Sequence, residues 1–237
     1  MSKSLLATVQ GFCGEYGLPI PSAIIGVTET SVIQYKAIME KVVTDLLEFR
    51  WQQQSIRRTF TTIAAEDQGL LTTLIGADYK SLVQASMWDE TLRRPVFGPV
   101  GDASWEMLKA FLNTGPLYQY RIAQNHLLIN PVIEAGHTIG LIYMSGYGIL
   151  DGTTGIAKES FTLDTDTMLF PDVVIEKSLE WRWKKIKGED WQDDYNDYLD
   201  SVARNKTNDT SPVLFLDRGQ PQLIPGIWVP AGNWPTV

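Results

Sequence analysis

The chain of 237 residues predicts an α+β fold. Three observations carry that reading: apolar stripes at helical spacing towards both ends, a middle that alternates at every second residue, and a C-terminal stretch that obeys neither period. The expected arrangement is a helical bundle body with an inserted antiparallel β-rich module and an extended C-terminal arm. The body takes residues 1–54 and 170–206, the module takes 55–169 and includes short helices, and the arm takes 207–237.

The first helix is read from Leu5, Val9, Phe12, Cys13 and Tyr16, with Ser4 as its cap and Gly17, Pro19 and Pro21 ending it. The second is expected from about Ser31 to Trp51, on the stripe Val32, Tyr35, Met39, Val42, Val43, Leu46 and Phe49, with Ser31 and Gln34 as a capping box. Arg57 to Ile63 is β-branched and Thr-rich, which predicts a strand. Two short helices are expected at Asp78–Leu92 and Ala103–Leu112. A three-stranded antiparallel meander should follow: Tyr118, Tyr120 and Ile122, a turn at Gln124-Asn125, a return over Leu127 to Ile129, then Thr138 to Met144. Ser145 to Gly155 contains four glycines and reads as a loop.

Helical spacing returns at Asp172 with Ile175, Leu179, Trp183 and Ile186, breaks at Gly188, and resumes with Trp191, Tyr195, Leu199 and Val202. This is a helical hairpin whose arms carry opposite charge. Arg182, Lys184, Lys185 and Lys187 lie on the first, and Asp193, Asp194, Asp197 and Asp200 on the second. Such faces are either solvated or complementary between copies in a ring. Arg182, Lys184, Lys185, Asp193, Asp194 and Asp197 are the ring-interface candidates.

After about Asn205 the chemistry changes. Five prolines (Pro212, Pro221, Pro225, Pro230 and Pro235) exclude a helix and disfavour a central strand. Yet Val213, Leu214, Phe215, Leu216, Ile227, Trp228 and Trp234 make the tail too apolar for charge-driven disorder. It reads as an arm that another surface must cover, with Phe215, Leu216, Ile227, Trp228 and Trp234 as its anchors.

Composition narrows the function. A net charge of −8 argues against a conventional nucleic-acid binder. One cysteine excludes an internal disulfide framework and a multi-cysteine metal site, and Cys13 falls on the apolar side of its helix. The N-terminus lacks a secretory pattern and no apolar run is long enough to span a membrane, so a reducing cytoplasm is the expected place of synthesis. Gly146-Tyr147-Gly148 lacks the third glycine and the following helix of a dinucleotide site. Asp164-Thr165-Asp166 begins like a calcium loop, but Met168 and Leu169 occupy positions that need a ligand and a glycine, so a capped turn is expected. His126 and His137 sit near predicted turns without a nucleophile motif. No catalytic, cofactor-binding or metal-binding residue is assigned.

Six stretches, taken in order, resemble the head-to-tail adaptor (head completion, or connector) proteins of short-tailed, podovirus-like bacteriophages. They are Gly17 to Gly26, Glu48-Phe49-Arg50-Trp51-Gln52, Trp88 through Arg93-Arg94-Pro95-Val96-Phe97-Gly98-Pro99, Tyr120-Arg121-Ile122, Phe161 to Thr167, and Leu179 to Lys184. Together they span roughly residues 5–200, and the proline-rich tail has no counterpart. The resemblance implies a virion protein of the neck, between capsid portal and tail, with no enzymatic activity. It implies a homo-oligomeric ring, typically of twelve copies, that binds the portal protein, docks a nozzle or other tail protein, and passes double-stranded DNA without sequence specificity during ejection. Two alternatives stand beside it: a nozzle or tubular tail component one tier lower, and a small hydrolase using acidic residues.

Overall fold

The computed structural model describes residues 2–110 and 117–209. The arm from Thr210 onward, with Phe215, Leu216, Ile227, Trp228 and Trp234, lies outside the described residues, as does the expected end of the Ala103–Leu112 helix.

The elements are α1 (Leu5–Glu15), α2 (Thr30–Leu47), β1 (Ser55–Thr61), β2 (Asp67–Leu70), α3 (Leu71–Leu74), β3 (Tyr79–Leu82), β4 (Trp88–Asp89), β5 (Arg94–Pro95) and α4 (Asp102–Ala110). Then come β6 (Gln119–Ala123), β7 (His126–Asn130), β8 (Thr138–Ser145), β9 (Ile149–Leu150), β10 (Ala157–Lys158), β11 (Thr167–Met168), α5 (Asp172–Lys187) and α6 (Gln192–Asp209). The fold is α+β with antiparallel sheets. Its described residues divide into two compact units, one of residues 2–56, 78–81 and 143–209, the other of 57–77 and 82–142.

The first unit is built on α1, α2, α5 and α6. Leu5 and Val9 of α1, Met39, Val42 and Leu46 of α2, and Val174, Ile175 and Leu179 of α5 have no exposed surface. Trp183 stacks on Tyr35 at 5.0 Å and meets Phe12 edge-on at 5.7 Å. Ser4 caps α1 by accepting the amide of Ala7. The capping box expected on α2 is absent, because the helix begins at Thr30 and Ser31 is already inside its first turn. The Ser31 hydroxyl donates to Glu29 instead, at 2.7 Å. A missing side-chain cap forgoes about 1 kcal/mol, whereas each fully buried aliphatic side chain contributes about 1.5–3 kcal/mol. Burial therefore sets this helix.

α2 stops at Leu47, four residues before the expected end. Arg50 takes a left-handed φ of 52°, and Trp51 folds back, fully buried, to donate its indole N–H to the Leu46 carbonyl at 2.9 Å. Gly188, at φ 75°, ends α5 in the left-handed region that glycine adopts without strain. The buried residues of α6 are Tyr198, Ser201 and Val202; of the expected stripe Val202 is buried, Trp191 and Tyr195 are half-buried. Ile186 and Leu199, expected in stripes, are 52% and 38% exposed.

The inserted module was expected to extend to residue 169, but 143–169 belongs to the helical unit. Ile149, Phe161, Met168 and Phe170 are buried in its core, and β9, flanked by β10 and β11, holds this segment as a small sheet.

In the second unit β2, β7 and β6 form one sheet, with Gln124 and Asn125 both at positive φ in the tight turn between β6 and β7. The predicted third strand of that meander, β8, instead joins a second sheet, ordered β1-β8-β4-β5. The outer side of β7 is taken by β2, and β8 is buried along most of its length, which suits the centre of a sheet. The helix expected at Asp78–Leu92 is replaced by β3, a turn and β4. Ala85 has φ 56°, and Ser86 donates its hydroxyl to Val83 and Ile142 carbonyls, so the segment spends its polar groups on a turn and on β8.

Candidate interaction surface

The charged hairpin of α5 and α6 is the site the sequence singles out, and the structure divides its residues. Arg182 is 6% exposed and is held by Ser178 and by an ion pair with Asp45 of α2. Its guanidinium also lies 4.2 Å from the ring centre of Trp181. Lys184 pairs with Asp194 across the hairpin at 2.8 Å and with Glu180 one turn back at 3.2 Å. Asp194 first, and Glu180 after it, hold the Lys184 ammonium above its ordinary range despite the opposing effect of desolvation. Lys177 reaches Asp197 at 3.5 Å. Arg182, Lys184, Asp194 and Asp197 thus have partners inside the chain.

Lys185, Lys187, Asp193 and Asp200 remain exposed. Beneath Lys185 lies a cluster of half-buried rings. Trp181 meets Tyr195 edge-on at 5.0 Å, Trp191 and Tyr195 are 6.0 Å apart, and the Lys185 ammonium sits 4.7 Å from the Trp191 ring. Lys187 lies 4.3 Å from the Trp183 ring. Cations held over aromatic faces are a common element of protein interfaces. The helical spacing of Trp191 and Tyr195 is visible in the sequence, but their meeting with Trp181 across the Gly188 turn is not.

The Asp164-Thr165-Asp166 segment holds a cation that the sequence search did not foresee. Asp166 is fully buried and accepts the amides of Gly152, Thr162 and Leu163 at 3.1, 2.8 and 2.8 Å. The Lys158 ammonium lies 2.8 Å from Asp166 and 3.0 Å from Asp151, and also contacts the Thr162 hydroxyl. Burial alone would raise the Asp166 carboxyl, but Lys158 and the three amides outweigh it and hold the group below its usual range. Asp151 is lowered too, first by the Thr154 amide and then by Lys158. Asp164 accepts the amides of Ile24 and Ile25 at 2.9 and 2.8 Å, pinning the loop between α1 and α2. The segment is the capped turn expected, with a lysine at its centre.

His126 pairs with Asp67 at 2.9 Å, and this contact draws the carboxyl below its ordinary value. His137 is nearly buried and pairs with Asp89 at 2.8 Å, while Asp89 also accepts the amides of Thr91 and Leu92. Each histidine serves a turn of the second unit. Among the described residues no group of three or more His, Cys, Asp or Glu side chains could hold a metal ion, and no helix is long and apolar enough to cross a membrane. Cys13 is buried in the first unit's core.

Four of the six stretches that carry the adaptor resemblance meet in pairs, one pair in each unit. In the first unit Asp164 binds the Gly17–Gly26 loop, Trp51 packs on Phe170 beside the Phe161–Thr167 turn, and Trp183 closes over α1 and α2. In the second, Trp88 pairs with Pro95, and Tyr120 donates its amide to Phe97 at 2.8 Å. No protein-family model matches the chain, and no curated protein matches it.

Proposed function

We propose that this chain is a structural virion protein, a head-to-tail adaptor that forms a ring beneath the portal of a short-tailed phage, extends the DNA channel and docks the next tail component. The observation that supports this reading is that stretches resembling adaptors but far apart in sequence meet within each unit, Asp164 on Ile24 and Ile25 in the first and Tyr120 on Phe97 in the second. A resemblance confined to surface loops would not have that property.

The surface chemistry suits the role. A heterologous ring needs two different faces on each copy. Lys185 and Lys187 over tryptophan rings offer one, and the exposed carboxylates Asp193 and Asp200 offer the other. The arm, with its aromatic anchors, supplies a further contact with a partner.

The test is binding to a short-tailed phage portal protein, followed by gradient sedimentation and electron microscopy. An adaptor binds the portal directly and forms a ring on it, and Lys185→Glu weakens ring formation most at low salt. Failure to bind the portal, or binding only after another tail protein is present, overturns the assignment; the second outcome places the chain one tier lower.

A further inference from the structure

A glycine in the middle of β8 opens a cleft on one face of the second unit's larger sheet. Gly140 and Ile142 stand two residues apart on β8 and so share a face, and Trp88 of β4 pairs directly opposite Gly140. Cross-strand partners normally pack on each other, but glycine has no side chain to offer. Trp88 is left 43% exposed. The Glu90 carboxylate, not the indole, lies closest to where a Gly140 Cβ would stand. The result is a cleft of about 480 Å³ with Arg57, Gln84, Trp88, Glu90 and Gly140 in its walls. Sites for small molecules typically measure about 300–1,000 Å³. All of these residues belong to the second unit.

The walls combine one free aromatic face with three planar polar groups. Among the described residues no other ring and no cation packs on Trp88. Arg57 and Glu90 form an ion pair whose members both remain exposed. Gln84 is exposed, and its amide makes no hydrogen bond among the described residues. Guanidinium, carboxylate and amide each present two or more donor or acceptor sites side by side.

The ion pair selects the charge of the ligand. An anion reaches Arg57 only by displacing Glu90, and a cation reaches Glu90 only by displacing Arg57. Either exchange leaves one charged group without its partner. A neutral hydroxyl has one donor and two acceptor lone pairs, so it accepts from the guanidinium and donates to the carboxylate without separating them. A purely apolar ligand would strip water from the three polar groups and return no hydrogen bond. The negative face of the indole, in turn, suits the slightly positive C–H face of a saturated ring. A ring with hydroxyls at its edge and C–H bonds on its face meets all of these demands.

We infer that this cleft is a binding site for a neutral saccharide, which stacks on Trp88 and hydrogen-bonds to Arg57, Glu90 and Gln84. The site uses none of the residues assigned to the ring and does not depend on the adaptor reading.

The indole N–H resonances of the full-length chain, followed by NMR, test it, with Trp88 assigned by the loss of its signal in Trp88→Phe. Methyl glycosides of glucose, galactose and N-acetylglucosamine are the neutral probes, and glucuronic acid and glucosamine are the anionic and cationic comparators. At least one neutral probe is expected to shift the Trp88 signal at millimolar concentration, and at lower concentration than either charged sugar. Saturation transfer to that probe should vanish in Trp88→Ala. Glu90→Gln should weaken the neutral probe about tenfold, as the loss of a hydrogen bond to a charged group does. It should also let glucuronic acid bind, because Arg57 is then unpaired. Three results overturn the proposal: no shift of Trp88 with any neutral probe, tighter binding of a charged sugar to the native chain, or undiminished saturation transfer in Trp88→Ala. A Glu90→Gln variant with the same preferences as the native chain overturns it as well.

Discussion

Replacing Asp166 by alanine tests whether the loop between β10 and β11 is held by one buried carboxylate. Four donors converge on that group: three backbone amides at 2.8–3.1 Å and the Lys158 ammonium at 2.8 Å. The substitution leaves Lys158, which is 19% exposed, with only Asp151 and the Thr162 hydroxyl. Removing one partner of a buried ion pair costs about 3–5 kcal/mol. The bereft amides add to this only where water cannot reach them, at about 1–3 kcal/mol each. We therefore expect Asp166→Ala to destabilise by about 3–5 kcal/mol, and Asp151→Ala, whose carboxylate still touches solvent, by clearly less. Urea unfolding followed by tryptophan fluorescence reads both. In a double-mutant cycle Lys158→Met should recover at least about 1 kcal/mol of the Asp166→Ala loss. Equal costs for the two alanine variants, or strict additivity in the cycle, would refute the reasoning.

Other outcomes follow from the same geometry. Asp166 and Asp151 have folded pKa values below their unfolded ones, so their contribution is complete above about pH 5 and fades as pH falls below about 4. The urea midpoint of Asp166→Asn should accordingly fall less steeply with acidification than that of the native chain. Arg182→Met breaks the pair with Asp45 and the contact with Ser178, and because Asp45 stays hydrated the loss should be about 1.5–3 kcal/mol by urea unfolding. Lys185→Met should leave stability within about 0.5 kcal/mol of the native value. Gly152→Ala would place a Cβ 2.4 Å from the Thr165 carbonyl oxygen, a backbone atom that cannot swing aside, so thermal unfolding should register a loss of about 1–3 kcal/mol.

Legibility in the sequence followed the length of the elements. α1, α2 and α5 could be read because each buries a stripe over several turns, and the turn at Gln124-Asn125 because both residues tolerate positive φ. The Asp78–Leu92 segment misled because Tyr79, Leu82, Val83 and Met87 mimic a helical stripe. Its true elements, β3 and β4, are too short to show alternation. The membership of β8 turned on β2 taking the outer side of β7, and β2, with Gly69 within it, carries almost no strand signal. In the candidate site the segregated charges were visible, but their pairing was not. Lys184 meets Asp194 only because Gly188 turns α6 back onto α5, and Arg182 looks like a surface residue until Asp45, far away in sequence, is brought beside it.

Lys158 gives the turn around Asp166 a counter-ion that belongs to the polypeptide. A bound calcium ion is shared with the bath, so its occupancy rises and falls with supply; an ammonium eight residues away in the chain has no off-rate. Its local concentration is set by chain geometry alone. The loop that receives α1 and pins Ile24 and Ile25 is then as ordered in a chelating medium as in a calcium-rich one.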